Sequence, residues 1–336
     1  MVQSNKGDNM AVHIFLTNEE NFEICTRKGL VGIPEPNDGR NQNNVFDAML
    51  SRLSMIREND YVLMYITGSK ELRGVWKADG SPFYDETPVW NDRIYPFRCR
   101  IKTSEYCFDK SLLLNDINDL RNNNRIWTWA LQRASGTNAM FSISNHEFEI
   151  IINEFLKINP FSQNVWRIVE PYPYHKSNLL ENVHAEKNKL KYEYSVMTLL
   201  NHSFATGKFK NIFGNYTDYL CYIPTNLGRE MDILLMYEHP KMKNIILSYD
   251  IIEVKRDEFD TKALTQLIDY ESWFLQKKVS GDMKMLRTTA IAKGFSADVI
   301  DYVKKREKFE NKPIKLVKYD YNESDGFTLA NTLLID

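Results

Sequence analysis

The sequence predicts an α/β protein, α+β overall, built as two domains. Three observations predict it. The chain has 336 residues, more than one hydrophobic core normally serves. The patterning changes at Asn159-Pro160. On both sides of that point, short apolar runs alternate with stretches of helical spacing. The expected division is a first domain over 11–158, a linker over 159–180 and a second domain over 181–336.

In the first part, residues 11–16 (AVHIFL) read as a strand and 18–28 as a helix. The segment GIPEPNDGRNQNN is expected to be a surface loop, because Gly, Pro, Asn and Asp punctuate it. Residues 45–56 carry apolar side chains at 45, 46, 49, 50, 53 and 56, the spacing of an amphipathic helix. Strands follow at 61–66 and 72–77, joined by a TGSKE turn. After an aromatic, Pro-containing loop at 79–92 comes a strand at 93–101, and 147–158 forms a closing helix. The residue before Pro160 is pushed out of the helical region, so the helix stops there. Residues 159–180 hold three prolines and four large aromatics without periodicity, which reads as a linker lying partly against a surface.

The second part is expected to run as a helix over 181–204, strands over 217–221, 231–237 and 245–254, and a helix over 261–276. A strand at 285–292, a helix at 296–306 and a strand at 314–319 complete a layered α/β domain.

Charge is balanced, with 43 Lys+Arg against 45 Asp+Glu for a net charge of −2. That excludes a chain coated in basic charge to hold nucleic acid; any such grip must be local, for example Lys189 and Lys191, or Lys304, Lys305 and Arg306. Cys25, Cys99, Cys107 and Cys221 show no CxxC spacing, which argues against a zinc ribbon or a redox pair and fits free thiols in a reducing cytosol. The polar first ten residues read as a loose tail rather than a signal peptide. No apolar run approaches the ~20 residues of a membrane span. The expectation is a cytoplasmic protein with no membrane partner.

Chemistry concentrates in the second part. Asp232 lies in the strand MDILLMY, and Glu253 and Lys255 lie in the next strand, flanking Val254. Alternation along a strand sends Glu253 and Lys255 to one face, and an antiparallel pairing lets Asp232 join them. Two neighbouring carboxylates repel unless a cation lies between them, and oxygen ligation with room for water suits Mg²⁺ or Mn²⁺. A lysine beside them can orient and help deprotonate a water for attack on a phosphodiester. The plainer alternative is a solvated face of an edge strand, but IILSYDIIEVKR is long and apolar and reads as central. On the following helix, Gln266 and Tyr270 stand four apart on one face.

GREMDILLMY, IIEVKR and ALTQLIDYESWF together resemble the PD-(D/E)xK nuclease superfamily, in its NucS-like and RecB-like branches, over about residues 181–320. The resemblance implies a restriction-endonuclease-like domain with a central mixed sheet. It implies that Asp232, Glu253 and the Val254 carbonyl ligate the metal, that Lys255 is catalytic, and that Gln266 and Tyr270 support the site or the DNA backbone. The family often adds an acid on the first helix; Glu193 fits best and Glu186 second. Met231 stands where the pattern has proline, and the step from Asp232 to Glu253 implies a long hairpin turn, EHPKMKN.

The first part is rich in aromatics: Trp76, Phe83, Tyr84, Trp90, Tyr95, Trp127 and Trp129. Most of them must fill a small β-rich core. The stretch NDYVLMYITGSKELRGVWKADGSPFYDETPVWNDRIYPFRCRI resembles the EVE and YTH-like domains of the PUA superfamily, over about 11–158. That resemblance implies a small PUA-like β-barrel that binds a flipped-out modified base by aromatic stacking, worth about 1–3 kcal/mol per base. Trp90 would be the main cage residue, with Tyr84 and Trp76 beside it and Ser69 and Asn91 reading the base edge; GLVGIPEP lacks the tryptophan of the usual further wall. Together the two resemblances imply a modification-dependent DNA endonuclease of the type IV restriction kind, acting as a homodimer on DNA with a modified base. The alternatives are a NucS-like mismatch- or structure-directed nuclease and a non-catalytic reader of modified nucleic acid.

Overall fold

The structure, a computed structural model, describes residues 10–36, 42–106, 108–131, 139–160, 167–175, 177–242, 245–324 and 326–331. Cys107, residues 1–9 of the expected tail, 37–41 of the expected loop, 161–166 of the expected linker and 243–244 of the hairpin turn lie outside the described residues. The protein is mixed α/β, α+β overall, and its chain divides into two compact units, Met1–Val183 and His184–Asp336.

The first unit runs β1 (Val12–Thr17), α1 (Glu19–Lys28), β2 (Leu30–Ile33), α2 (Gln42–Leu53), β3 (Tyr61–Ile66), β4 (Glu71–Ala78), β5 (Phe83–Tyr84), β6 (Phe97–Thr103), β7 (Leu112–Leu113), α3 (Leu114–Asn122), β8 (Met140–Ile143) and α4 (Asn145–Ile158). Its sheet has the order β2-β6-β4-β3-β1-β8, with β5 on β6 and β7 on β4. Only the β1–β3 pairing among these is parallel. β3 shows why YVLMYI has no polar face. Val62, Met64 and Ile66 enter one core cluster, while Tyr61, Leu63 and Tyr65 enter another. A central strand covered on both faces reads as a continuous apolar run rather than an alternating one.

α1 starts at Asn18, whose side chain accepts the Asn21 N–H, and ends on Gly29 in the left-handed conformation, φ 61°. A Cβ there would also meet Ile168 Cδ1 at 2.9 Å. That contact belongs to the segment expected as a linker lying partly against a surface, and the surface is that of the first unit. Val169 and Glu170 N–H donate to the Arg27 carbonyl and Tyr172 N–H to the Lys28 carbonyl. Leu179 is buried in the core. Aromatic and proline residues without periodicity found an apolar and cationic surface to cover: the Tyr174 ring lies 4.9 Å from the Arg100 guanidinium.

The second unit runs β9 (Ala185–Glu186), β10 (Lys189–Leu190), α5 (Glu193–Ala205), α6 (Lys210–Phe213), β11 (Asp218–Pro224), β12 (Glu230–Glu238), β13 (Ile246–Val254), β14 (Glu258–Phe259), α7 (Thr261–Lys277), β15 (Leu286–Ala292), β16 (Gly294–Phe295), α8 (Ala297–Glu310), β17 (Lys315–Asn322) and β18 (Gly326–Asn331). The main sheet has the order β11-β12-β13-β15-β17-β18. β11 to β13 form an antiparallel meander, β13–β15 and β15–β17 are parallel, and β18 returns antiparallel. The parallel pairs need crossovers, which α7 and α8 provide. α7 packs on β13 and β15, with Asp260 capping it by accepting the Ala263 N–H. The helix expected over 181–204 begins only at Glu193. Before it, the polar run EKNK makes a tight hairpin between β9 and β10, with Lys187 at φ 53°.

Candidate metal centre

β12 and β13 pair with Ile233 opposite Ile252. One step further along the ladder, Asp232 lies across from Glu253 on the same face. The Val254 N–H donates to Asp232 Oδ2 at 2.8 Å, fixing that carboxylate at the end of the ladder. Lys255 Nζ donates to Glu253 Oε1 at 2.7 Å and lies 3.5 Å from Glu193 Oε2. Asp232, Glu253, Lys255 and Glu193 are thus brought together from β12, β13, the residue after β13 and the start of α5. Glu186 is not; it sits 3.5 Å from Lys191 and is well exposed.

Glu253 is fully buried. Asp232 as a residue keeps some surface, but its carboxylate is surrounded by protein. Burial, then the Glu253 charge beside it, pushes the Asp232 carboxyl well above the usual carboxylate range. Burial likewise raises Glu253, although Lys255 pulls it down. Burial lowers the Lys255 ammonium, but Glu253, Asp232 and Glu193 outweigh it and hold the amine charged. Two such carboxylates need either a shared proton or a cation between them. The Glu253 Oε2 atom is buried without a hydrogen-bond partner, the kind of orphan that a bound ion satisfies.

No three His, Cys, Asp or Glu side chains form a metal cluster by themselves among the described residues. Two carboxylates with water are still an ordinary donor set for Mg²⁺, which keeps several waters. All-oxygen donors and the orphaned Oε2 fit Mg²⁺ or Mn²⁺.

The helix behind the site holds it together. Gln266 Nε2 donates to the Tyr270 hydroxyl at 3.0 Å, and that hydroxyl donates to the Glu230 carbonyl at 2.7 Å. Tyr270 is fully buried, so the pair fixes the backbone two residues before Asp232. Gln266 and Tyr270 therefore act on the strand that carries the site. One residue escaped the sequence reading. Arg229 donates to Asp269 Oδ2 at 3.0 Å, with its guanidinium 6.0 Å from the Tyr270 ring centroid. The signal was a cation three residues before Asp232 in GREMD.

The base-binding residues have other surroundings in the first unit. Trp76 is 1% exposed and Trp90 5% exposed, both in the core. Tyr95 packs 4.8 Å from the Trp90 ring and the Arg98 guanidinium 5.4 Å from it. A Cβ on Gly32 would approach Trp90 Cη2 to 3.0 Å. Neither indole offers a free stacking face, because apolar area of this size is more stable inside a β-rich core. Tyr84 is half-buried and donates to Glu86 Oε1 at 2.6 Å. Ser69 is exposed in the β3–β4 turn, and Asn91 is exposed and donates to Glu20 Oε1 at 2.8 Å. Trp76 and Trp90 thus lie in the core, whereas Tyr84 is half-buried and Ser69 and Asn91 are exposed. Arg306, expected on a basic patch with Lys304 and Lys305, is buried and paired with Glu271.

No protein family matches the chain, and no curated protein matches it. A solved structure of a hypothetical protein from Leishmania major is similar over 46% of this chain and 99% of its own, at 13% identity and a TM-score of 0.33. Among the described residues, no helix is long and apolar enough to cross a membrane.

Proposed function

We propose that the protein is a metal-dependent DNA endonuclease whose second unit hydrolyses phosphodiester bonds. The observation that carries this reading is the convergence of Asp232, Glu253 and Lys255 around a buried, unpartnered carboxylate oxygen. A bound Mg²⁺ or Mn²⁺ would supply Lewis-acid charge at the phosphate and lower the pKa of a water. Asp232 and Glu253 would hold it, with the Val254 carbonyl adjacent. Lys255, kept charged by three carboxylates, orients the attacking water and steadies the negative charge that develops on phosphate oxygens. Gln266 and Tyr270 keep Asp232 in register through the Glu230 carbonyl. Arg229 and Lys191, exposed near the site's strands, are suited to DNA phosphates. Cutting both strands needs two such centres, which a homodimer provides.

On the resemblance of the first unit, the enzyme is directed to DNA carrying a modified base, in the manner of a type IV restriction enzyme. Closure of Trp76 and Trp90 in the core favours a second reading, a mismatch- or structure-directed nuclease whose first unit positions DNA without caging a base on those rings. Digestion of matched plasmids, modified and unmodified, in Mg²⁺ separates the two. Cutting of the modified plasmid alone supports the modification-dependent reading, and equal cutting of both overturns it.

A further inference from the structure

The second unit contains a cavity of about 740 Å³ that the metal centre does not use, within the range of small-molecule sites. Its floor is built by register. Asp250 pairs with Arg287 across β13–β15, and Thr289 pairs with Lys315 across β15–β17. Paired residues share a face, so these four side chains lie on one side of the sheet, the side opposite Glu253. All four line the cavity, with Ile212, Phe213, Leu286 and Ile314 as apolar wall.

Asp250 is only 3% exposed. Among the described residues it takes one hydrogen bond, from Thr289 Oγ1 to Oδ1 at 2.9 Å, and no cation reaches ion-pair distance. Burial pushes its carboxyl up to about 6 despite Thr289, Lys315 and Arg287. A buried carboxylate held by one hydrogen bond keeps acceptor capacity on both oxygens. Lys315 Nζ donates to the Ile212 carbonyl and lies 5.0 Å from the Phe213 ring, so further ammonium donors remain. The floor thus presents acceptors beside a donor, with Arg287 held over the Tyr237 ring at 4.7 Å, and the rim adds Glu307, Lys284 and Lys312, the last 3.9 Å from Glu310.

We propose that this cavity binds a guanine nucleotide. Asp250 accepts from the base N1–H and N2–H₂, Lys315 donates to O6, and Arg287 and Lys284 take the phosphate, away from Glu307 and Glu310. Adenine presents an acceptor at N1 and a donor at its C6 substituent, the reverse of what Asp250 and Lys315 offer, so the floor rejects it. Phe213, Leu286 and Ile314 cover the base faces. The site is independent of the metal centre and stands whether or not the nuclease reading does.

Calorimetric titration of the full chain in chelator, with GMP, AMP and inorganic phosphate as probes, tests it. GMP is expected to bind at least about tenfold more tightly than AMP, and phosphate more weakly than either. Asp250→Asn replaces one acceptor by a donor and is expected to lose about tenfold or more in GMP affinity. Lys315→Met is expected to lose affinity as well and decides the matter if Asp250→Asn fails to fold. Asp232→Ala is expected to keep it. GMP binding no tighter than AMP, unchanged in the folded variants, or abolished by Asp232→Ala would overturn the assignment.

Discussion

Replacing Asp250 by Asn is expected to stabilise the protein at alkaline pH and not at acid pH. The carboxyl is buried on the apolar strand β13 and its pKa is raised from 3.8 to about 6. The folded protein therefore binds that proton more tightly than the unfolded chain does. Well below pH 3.8 both states are protonated and burial of the charge costs nothing. The cost appears as pH rises from about 3.8 and is complete above about 6. At about 1.4 kcal/mol per pH unit, the gap corresponds to about 3 kcal/mol. Asn keeps the acceptor for Thr289 but leaves an amide N–H₂ to satisfy, which returns about 1 kcal/mol or more. The net expectation is a gain of about 1–2 kcal/mol at pH 8 that falls with pH and turns into a loss of about 1 kcal/mol well below pH 4, where only the unsatisfied amide remains. Urea unfolding of the full chain at both pH values, compared with wild type at equal m-value, measures it. A variant less stable than wild type at pH 8, or a difference independent of pH, would refute the reasoning. A carboxylate retained at such a cost is also what a ligand site would keep.

Two further outcomes follow from burial. Glu271→Gln removes the closer partner of Arg306, which is 5% exposed, and leaves it Glu310, 3.9 Å from its Nε. It should destabilise by about 3 kcal/mol in the same assay, because the buried guanidinium loses its charged hydrogen-bond partner; a change under about 1 kcal/mol would show the pair to be dispensable. Trp90→Ala should cost about 3–5 kcal/mol, as loss of a large core side chain does. An unchanged melting temperature would return Trp90 to the role of an accessible cage residue.

What the sequence made legible depended on how local the physics was. β3, β12, β13, α7 and α8 declared themselves through apolar runs or helical spacing. The two-residue step from Glu253 to Lys255 already placed both on one face. Short elements did not announce themselves. β2 and β8 are four residues each, and α3 is mostly polar with Ile117 and Leu120 as its buried residues. The start of α5 was misplaced because the 181–192 segment has helical composition, while the turn at Lys187 is a backbone choice. Burial of Trp76 and Trp90 arises from tertiary packing, which an aromatic-rich loop does not reveal. Asp250 was hidden because a carboxylate in IILSYDIIEVKR shows its neighbours only once the β13–β15 register is known. Glu193 was legible through its helix face, with Met197, Leu200 and Phe204 buried and its own carboxylate near Lys255.

The central claim is that Asp232, Glu253 and Lys255 form a metal-dependent phosphodiesterase centre. Mn²⁺ titration alongside plasmid cleavage tests it most directly, using wild type, Asp232→Ala and Lys255→Met. Wild type should bind Mn²⁺ and cut, Lys255→Met should bind Mn²⁺ but cut at least about a hundredfold more slowly, and Asp232→Ala should do neither. Metal-dependent cutting that survives in Asp232→Ala at the wild-type rate would contradict the account.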